Sequence, residues 1–414
     1  MPDPDSTGFH YDLNDMSLTP EEEAQKFAWL RTHDPVHWDE HNQLWLISRH
    51  ADVQSMLKQP ELFSSEPKGP WHMFDTQFSM QAQDGVLHDA VRQVVGIGFR
   101  PRSIRQLETS VQALTDQAID SVAKNGACDL VQDIAVPIPT AVIANLLGFE
   151  GAAIELFKRW GDAVFGSGAD WGEAEHRAVK DFQDYVRDIV RQRKTEPRDD
   201  LLSAIVAAND DTITDSDGQQ VSILSPFFRD PIPGMPVNDG VMGFIAFLVL
   251  AGSETTRHSI SRGMHLLMTH PKERDKLIQD PGLIDSAVDE ILRYTSVVRT
   301  MRRVVMRDTE LHGKQLRQGD SVVYLFRSAN LDERVFDNPD AFRVDRNPND
   351  HIAFGWGSHF CLGSNLAKLE MKVVIASLLE RLPDLAPDTE RPVVDNANPV
   401  VSGLDALPVR FSAA

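Results

Sequence analysis

Phe354-Gly355-Trp356-Gly357-Ser358-His359-Phe360-Cys361-Leu362-Gly363 is the stretch on which the reading of this chain turns. It is a glycine-punctuated loop running into an apolar-periodic segment, 362–381, that predicts a helix. Glycine adopts backbone angles that other residues avoid and lets a flat ligand approach the main chain closely. A cysteine at a helix N-terminus is expected to be held as thiolate by the helix dipole. A lone cysteine in a loop is ordinarily a small buried hydrophobe. Filler does not explain glycines at 355, 357 and 363 together with His359 two residues before the sulfur.

Outward from that loop, the chain has 414 residues, 42% hydrophobic and 25% charged, a composition that allows a sizeable buried core. Its net charge of −21 repels phosphate backbones and anionic lipid, so neither nucleic acid nor a bilayer surface is expected as a main partner. Met1 to Thr19 lacks the basic and apolar regions of a secretory leader, and the longest apolar run, Val241 to Ala251, is about half a membrane span. The expectation is a soluble cytoplasmic protein without a membrane anchor. Cys128 and Cys361 are too few for a disulfide framework and lack the paired spacing of a structural zinc site. Cys128 reads as a structural thiol.

Helical periodicity dominates: Ile104, Leu107, Val111, Leu114, Ala118 and Val122 share one face behind Pro101, and similar patterns cover 137–148, 174–193 and 284–293. Val36–Trp38 and Leu44–Ile47 flank a polar turn as a hairpin, and Ser321–Phe326 is a β-branched run. The class is mainly α with small β-sheets. No repeat or linker divides 1–414, so one domain is expected, with an N-terminal arm over 1–19 and a Pro- and Asp-rich loop excursion over 209–239.

Three further motifs carry chemistry. Glu290-Ile291-Leu292-Arg293 places acid and base one helical turn apart, in isolation an ordinary solvated pair. His88 and Arg92 have the same spacing and can reach one anion. Ala251-Gly252-Ser253-Glu254-Thr255-Thr256 sets a carboxylate in an otherwise apolar helix beginning near Asp239, a cost unless the charge is used.

The cysteine loop resembles that of the cytochrome P450 superfamily, Phe-Gly-x-Gly-x-His-x-Cys-x-Gly, with every fixed position matched, and the resemblance spans roughly residues 20–412. It implies the triangular P450 fold and a haem-thiolate monooxygenase with haem b as cofactor and Cys361 as the axial iron ligand, whose electron-rich sulfur favours O–O cleavage. It implies that His88, Arg92, His359 and Arg303 hold the haem propionates, Arg299 and Arg302 lying in the same stretch as Arg303. Ala251, Phe354, Gly363 and Ala367 are implied as haem contacts. Glu254 and Thr255 are implied as the acid–alcohol pair that relays protons to dioxygen, with glutamate where many relatives have aspartate. Phe336 to Phe342 followed by Arg346 resembles the family's meander, which makes Glu290, Arg293 and Arg346 a structural ion triad.

Alignment with these motifs points to Phe78, Phe244, Leu248, Val298 and Val401 as substrate contacts, suited to a hydrophobic small molecule of the steroid, terpenoid or fatty-chain class. With no glycine-rich dinucleotide fingerprint in the chain, electrons are expected from an acidic ferredoxin and its NAD(P)H-dependent ferredoxin reductase. Arg100, Arg102, Arg105, Lys368 and Lys372 are its expected docking patch, and the protein is expected to be monomeric. Two rivals are a peroxide-using peroxygenase, against which the retained Glu254 and Thr255 argue, and a non-catalytic haem-thiolate gas sensor.

Overall fold

The computed structural model of the chain describes residues 11–66, 80–149, 153–166, 172–209, 211–214, 218–224, 240–396, 398 and 400–413. Helices dominate, as the periodicity predicts. The central element is the helix Gly240–Thr269, whose 30 residues span about 45 Å. Against it pack the helix Pro137–Leu147, the Glu290 helix Ile284–Thr295 and the cysteine helix Ser364–Arg381. Gly252 permits one of these crossings, since a Cβ there would stand 3.2 Å from the Ile143 side chain.

The hairpin Val36–Asp39 and Leu44–Ile47 pairs in register Val36 to Ile47 and joins a five-stranded sheet. Its order continues through Ser321–Leu325 and Thr300–Val305 to the two-residue strand Phe63–Ser64. All of Ser321–Leu325 is buried, which accounts for its unbroken apolar run. One core fills the space among the helices and a second lies at the sheet around Val322, Tyr324 and Phe326.

One expectation needs correction, and two segments gain detail. The periodic stretch behind Pro101 is two helices, Pro101–Gln106 and Glu108–Ala123, because the chain turns at Leu107. From residue 11 the N-terminal arm is packed: Tyr11 and Leu13 are buried against Phe27 and Leu30. Within 209–239 a short hairpin forms, Thr212–Thr214 with Gln220–Ser222, while 225–239 lies outside the described residues. Among the described residues no helix is long and apolar enough to cross a membrane.

Candidate active site

The cysteine loop is a compact turn whose glycines are required by geometry. Gly357 has φ +72, and a Cβ on it would lie 2.3 Å from the carbonyl oxygen of Leu57. Gly355, at φ +71, also occupies the left-handed region. The Cys361 N–H donates to the carbonyl of Phe354 at 2.9 Å and closes the loop. Cys361 then opens into a cavity that holds about 1460 Å³ of atom-free space with its mouth included.

Burial raises the Cys361 thiol pKa, opposed by the Gly363 N–H, the Arg92 charge and the Ser364 N–H.

Basic side chains from three elements face the same cavity. His88 is buried on the helix Gly85–Gly96, with Nδ1 2.9 Å from Asp89 Oδ1 and Nε2 lacking a partner among the described residues. Arg92, one turn on, donates to the carbonyl of Phe360 at 2.6 Å. Arg303 donates to the carbonyl of Arg302 at 2.7 Å and lies 5.8 Å from the Tyr324 ring centroid. The ring of His359 lies 4.3 Å from that of His88. Its Nε2, however, is taken by Asp84 Oδ1 at 2.9 Å and Ser65 Oγ at 3.1 Å. Arg302 and Arg299 do not line the cavity; Arg299 pairs with Glu23. Gly363 leaves open space, since a Cβ there would meet no atom within 4 Å, and Ala367 lines the wall one helical turn further on.

The facing wall comes from the central helix through Phe247, Leu248, Ala251, Gly252 and Thr255. Thr255 Oγ1 donates to the carbonyl of Ala251 at 2.8 Å. Glu254 does not line the wall. Arg257 grips it with two donors at 2.7 and 3.0 Å, and Arg257 stands 4.0 Å from Asp405 near the surface. The carboxylate in the apolar helix is thus compensated by its own helix. His258 follows, its pKa lowered to about 3 by burial and by Arg257 and Arg262.

Of the proposed substrate contacts, Leu248 and Val298 line the cavity. Phe244 does not: it is fully buried in the helical core, and Phe247 is the aromatic that reaches the wall. Val401 pairs with Val298 as an isolated bridge behind the wall, and Phe78 lies outside the described residues. Sequence reasoning missed Met301, Ile143 and Glu370. Glu370 is a buried carboxyl of the cysteine helix whose pKa burial raises well above the usual range. Its place at i+3 and i+4 from Ala367 and Leu366 was the available signal.

Beside the cavity, Glu290 is fully buried and accepts from Arg293 at 2.7 and 2.8 Å and from Arg346 at 2.9 and 3.1 Å. The three residues expected to form a triad are therefore in contact. On the cysteine side, Lys368 is paired with Asp289 at 2.6 Å and Lys372 with Asp285. That leaves Arg100, Arg102 and Arg105 as the exposed cations, at a helix that packs on the cysteine helix.

A cysteine presented into an apolar cavity, ringed by anion-binding side chains and faced by a threonine, is the arrangement of a haem-thiolate enzyme, and the chain belongs to the cytochrome P450 family. The model of that family, Cytochrome P450, matches residues 162–406. The chain is 35% identical to a steroid C26-monooxygenase of Mycolicibacterium smegmatis over 94% of its length and 92% of the relative's. It is 36% identical to a steroid C26-monooxygenase of Mycobacterium tuberculosis, covering 97% of each. Among solved structures, a myxobacterial cytochrome P450 in complex with myristic acid superposes with a TM-score of 0.81 at 32% identity, over 96% of this chain and 98% of that one. A Bacillus megaterium cytochrome P450 in complex with testosterone gives 0.80 at 29%, over 95% and 99%. The fold is therefore the P450 fold, and the protein is an enzyme of the P450 monooxygenase class, which uses haem, O2 and a hydrophobic substrate. The residues present fit a haem: an orphaned buried His88 Nε2, open space at Gly363 and a single cavity-facing thiol.

Proposed function

We propose that this chain holds haem b through Cys361 and inserts one oxygen atom of O2 into a C–H bond of a steroid, terpenoid or fatty-chain substrate. Haem, when bound, would supply oxygen activation at its iron, toward which the Cys361 sulfur would donate electron density. The observation that carries the reading is Cys361 in the floor of a cavity whose facing wall is apolar except for Thr255, Thr256 and Ser259. His88, Arg92, Arg303 and His359 hold the cofactor carboxylates, and Phe354, Ala251, Gly363 and Ala367 bound its faces. Phe247, Leu248, Val298 and Met301 exclude water and bury the substrate at about 25 cal/mol per Å² of apolar area. Thr255 Oγ1 holds a proton at the cavity wall, and Glu254, one residue before it, restores that proton from the solvent side. Electrons come from an acidic ferredoxin and its NAD(P)H-dependent reductase, docking at Arg100, Arg102 and Arg105. The protein acts as a single-domain monomer in the cytoplasm.

The test is product formed per NADPH consumed, after a lipid and terpenoid library has been screened for ligands that shift the haem spectrum to high spin. Thr255→Ala should keep haem content and the substrate-induced shift, yet divert reductant to hydrogen peroxide. Undiminished coupling in that variant would remove Thr255 from the reaction. Full turnover with hydrogen peroxide alone would favour a peroxygenase. Absence of substrate-dependent NADPH consumption with every redox partner would favour a gas sensor.

A further inference from the structure

Asp84 occupies the N-cap of the His88 helix, yet its side chain makes no capping bond to that helix. Its acceptors are all directed elsewhere. Oδ2 accepts from Ser64 Oγ at 2.7 Å and from the Ser65 N–H at 2.7 Å, both at the end of the strand Phe63–Ser64. Oδ1 meets His359 Nε2 at 2.9 Å, and Ser65 Oγ lies 3.1 Å from the same nitrogen. One carboxylate thus joins three segments far apart in sequence: a sheet edge, the start of the His88 helix and the cysteine loop. An N-cap aspartate normally spends an oxygen on the first helical turn, a bond worth about 1 kcal/mol. Here that bond is forgone in favour of the loop that carries Cys361. The group is 16% exposed, and His359 and Ser64 outweigh burial and hold its pKa at about 2, so it is a carboxylate at neutral pH. A carboxylate only accepts, so His359 Nε2 carries a hydrogen and the contact fixes the imidazole in plane; to donate to a cofactor carboxylate as well, the ring must carry a second hydrogen on Nδ1.

We propose that Asp84 is a positioning residue for the cofactor: acting through His359, it orients the imidazole and the two-residue connection from that ring to Cys361. Cofactor retention then depends on Asp84 only while His359 is present. This rests on the reading that His359 meets a cofactor carboxylate. Outer partners of metal-ligating histidines commonly change affinity by about 10–100-fold when removed, and an effect of the same order is expected for a histidine that holds a cofactor carboxylate.

The experiment is transfer of haem from the holoenzyme to excess apomyoglobin, followed by absorbance, in a double-mutant cycle. Asp84→Asn and His359→Ala should each speed haem loss about tenfold or more. The double variant should be no faster than His359→Ala alone. Ser64→Ala, which removes an Oδ2 partner without touching His359, should retain haem nearly as the parent does. If Asp84→Asn accelerates loss equally with and without His359, or Ser64→Ala matches it, Asp84 is only a cross-link between strand and helix and the inference falls. If His359→Ala itself retains haem like the parent, the underlying reading of His359 is what fails.

Discussion

Replacing Glu290 by glutamine exchanges one oxygen for an NH2 group and keeps the shape, so the consequence can be worked out from the donors around it. Oε1 faces Arg293 Nη2 at 2.8 Å, the Arg343 N–H at 3.0 Å and Arg346 Nε at 3.1 Å. Oε2 faces Arg293 Nε at 2.7 Å, Arg346 Nε at 2.9 Å and Asn349 Nδ2 at 3.1 Å. Whichever oxygen becomes the amide nitrogen, a donor then points at donors, and two buried guanidiniums lose their countercharge. Hydrogen bonds to charged groups are worth about 1.5–3 kcal/mol each, and breaking a buried pair by altering one partner costs about 3–5 kcal/mol. Against a usual folding free energy of about 5–15 kcal/mol, this is about a fifth of the whole or more.

The damage should also reach the cysteine loop. Arg293 donates to the carbonyl of Asn330, and Asn330 Oδ1 accepts the Ile352 N–H at 2.8 Å, two residues before Phe354. Urea unfolding followed by far-ultraviolet circular dichroism, with haem absorbance recorded in parallel, should give a Glu290→Gln loss of about 3–5 kcal/mol. Haem release should precede or accompany unfolding. A loss below about 1 kcal/mol, the scale of an exposed pair, would refute the claim that this triad is a buried support of the loop.

Two further outcomes follow from the same geometry. Phe244→Ala should cost about 3–5 kcal/mol of stability and leave substrate affinity little changed, whereas Phe247→Ala should weaken the substrate-induced spin shift with a smaller stability loss; comparing urea midpoints with spectral titrations separates them. Asp84 has a folded pKa of about 2, below its ordinary 3.8, so its stabilisation is complete above about pH 4 and fades as pH falls toward 2. The stability gap between the parent and Asp84→Asn, up to about 2 kcal/mol at pH 7, should therefore close on acidification; a gap constant from pH 7 to 3 would contradict it.

Local chemistry was legible in the sequence. The loop around Cys361, the Glu290–Arg293 spacing, the His88–Arg92 turn and the apolar helix with Thr255 are short-range patterns, and a helical turn or a tight loop fixes which residues share a face whatever surrounds them. The hairpin Val36–Ile47 and the helical class follow for the same reason. What depends on segments meeting from far apart in the chain was not legible. The sequence set Phe244 and Phe247 on the same helix with equal chemistry, and only the packing of neighbouring helices buried one and gave the other to the cavity. Glu254 was readable as a costly charge and its pair with Arg257 is local, but the approach of Arg257 to Asp405 needed the strand Gly403–Ala406 beside the helix. Lys368 and Lys372 looked free until the Glu290 helix brought Asp289 and Asp285 to them. Asp84 carries no signal of its own in the sequence, and its bond to His359, 275 residues away, exists because the sheet edge, the His88 helix and the cysteine loop converge on one point.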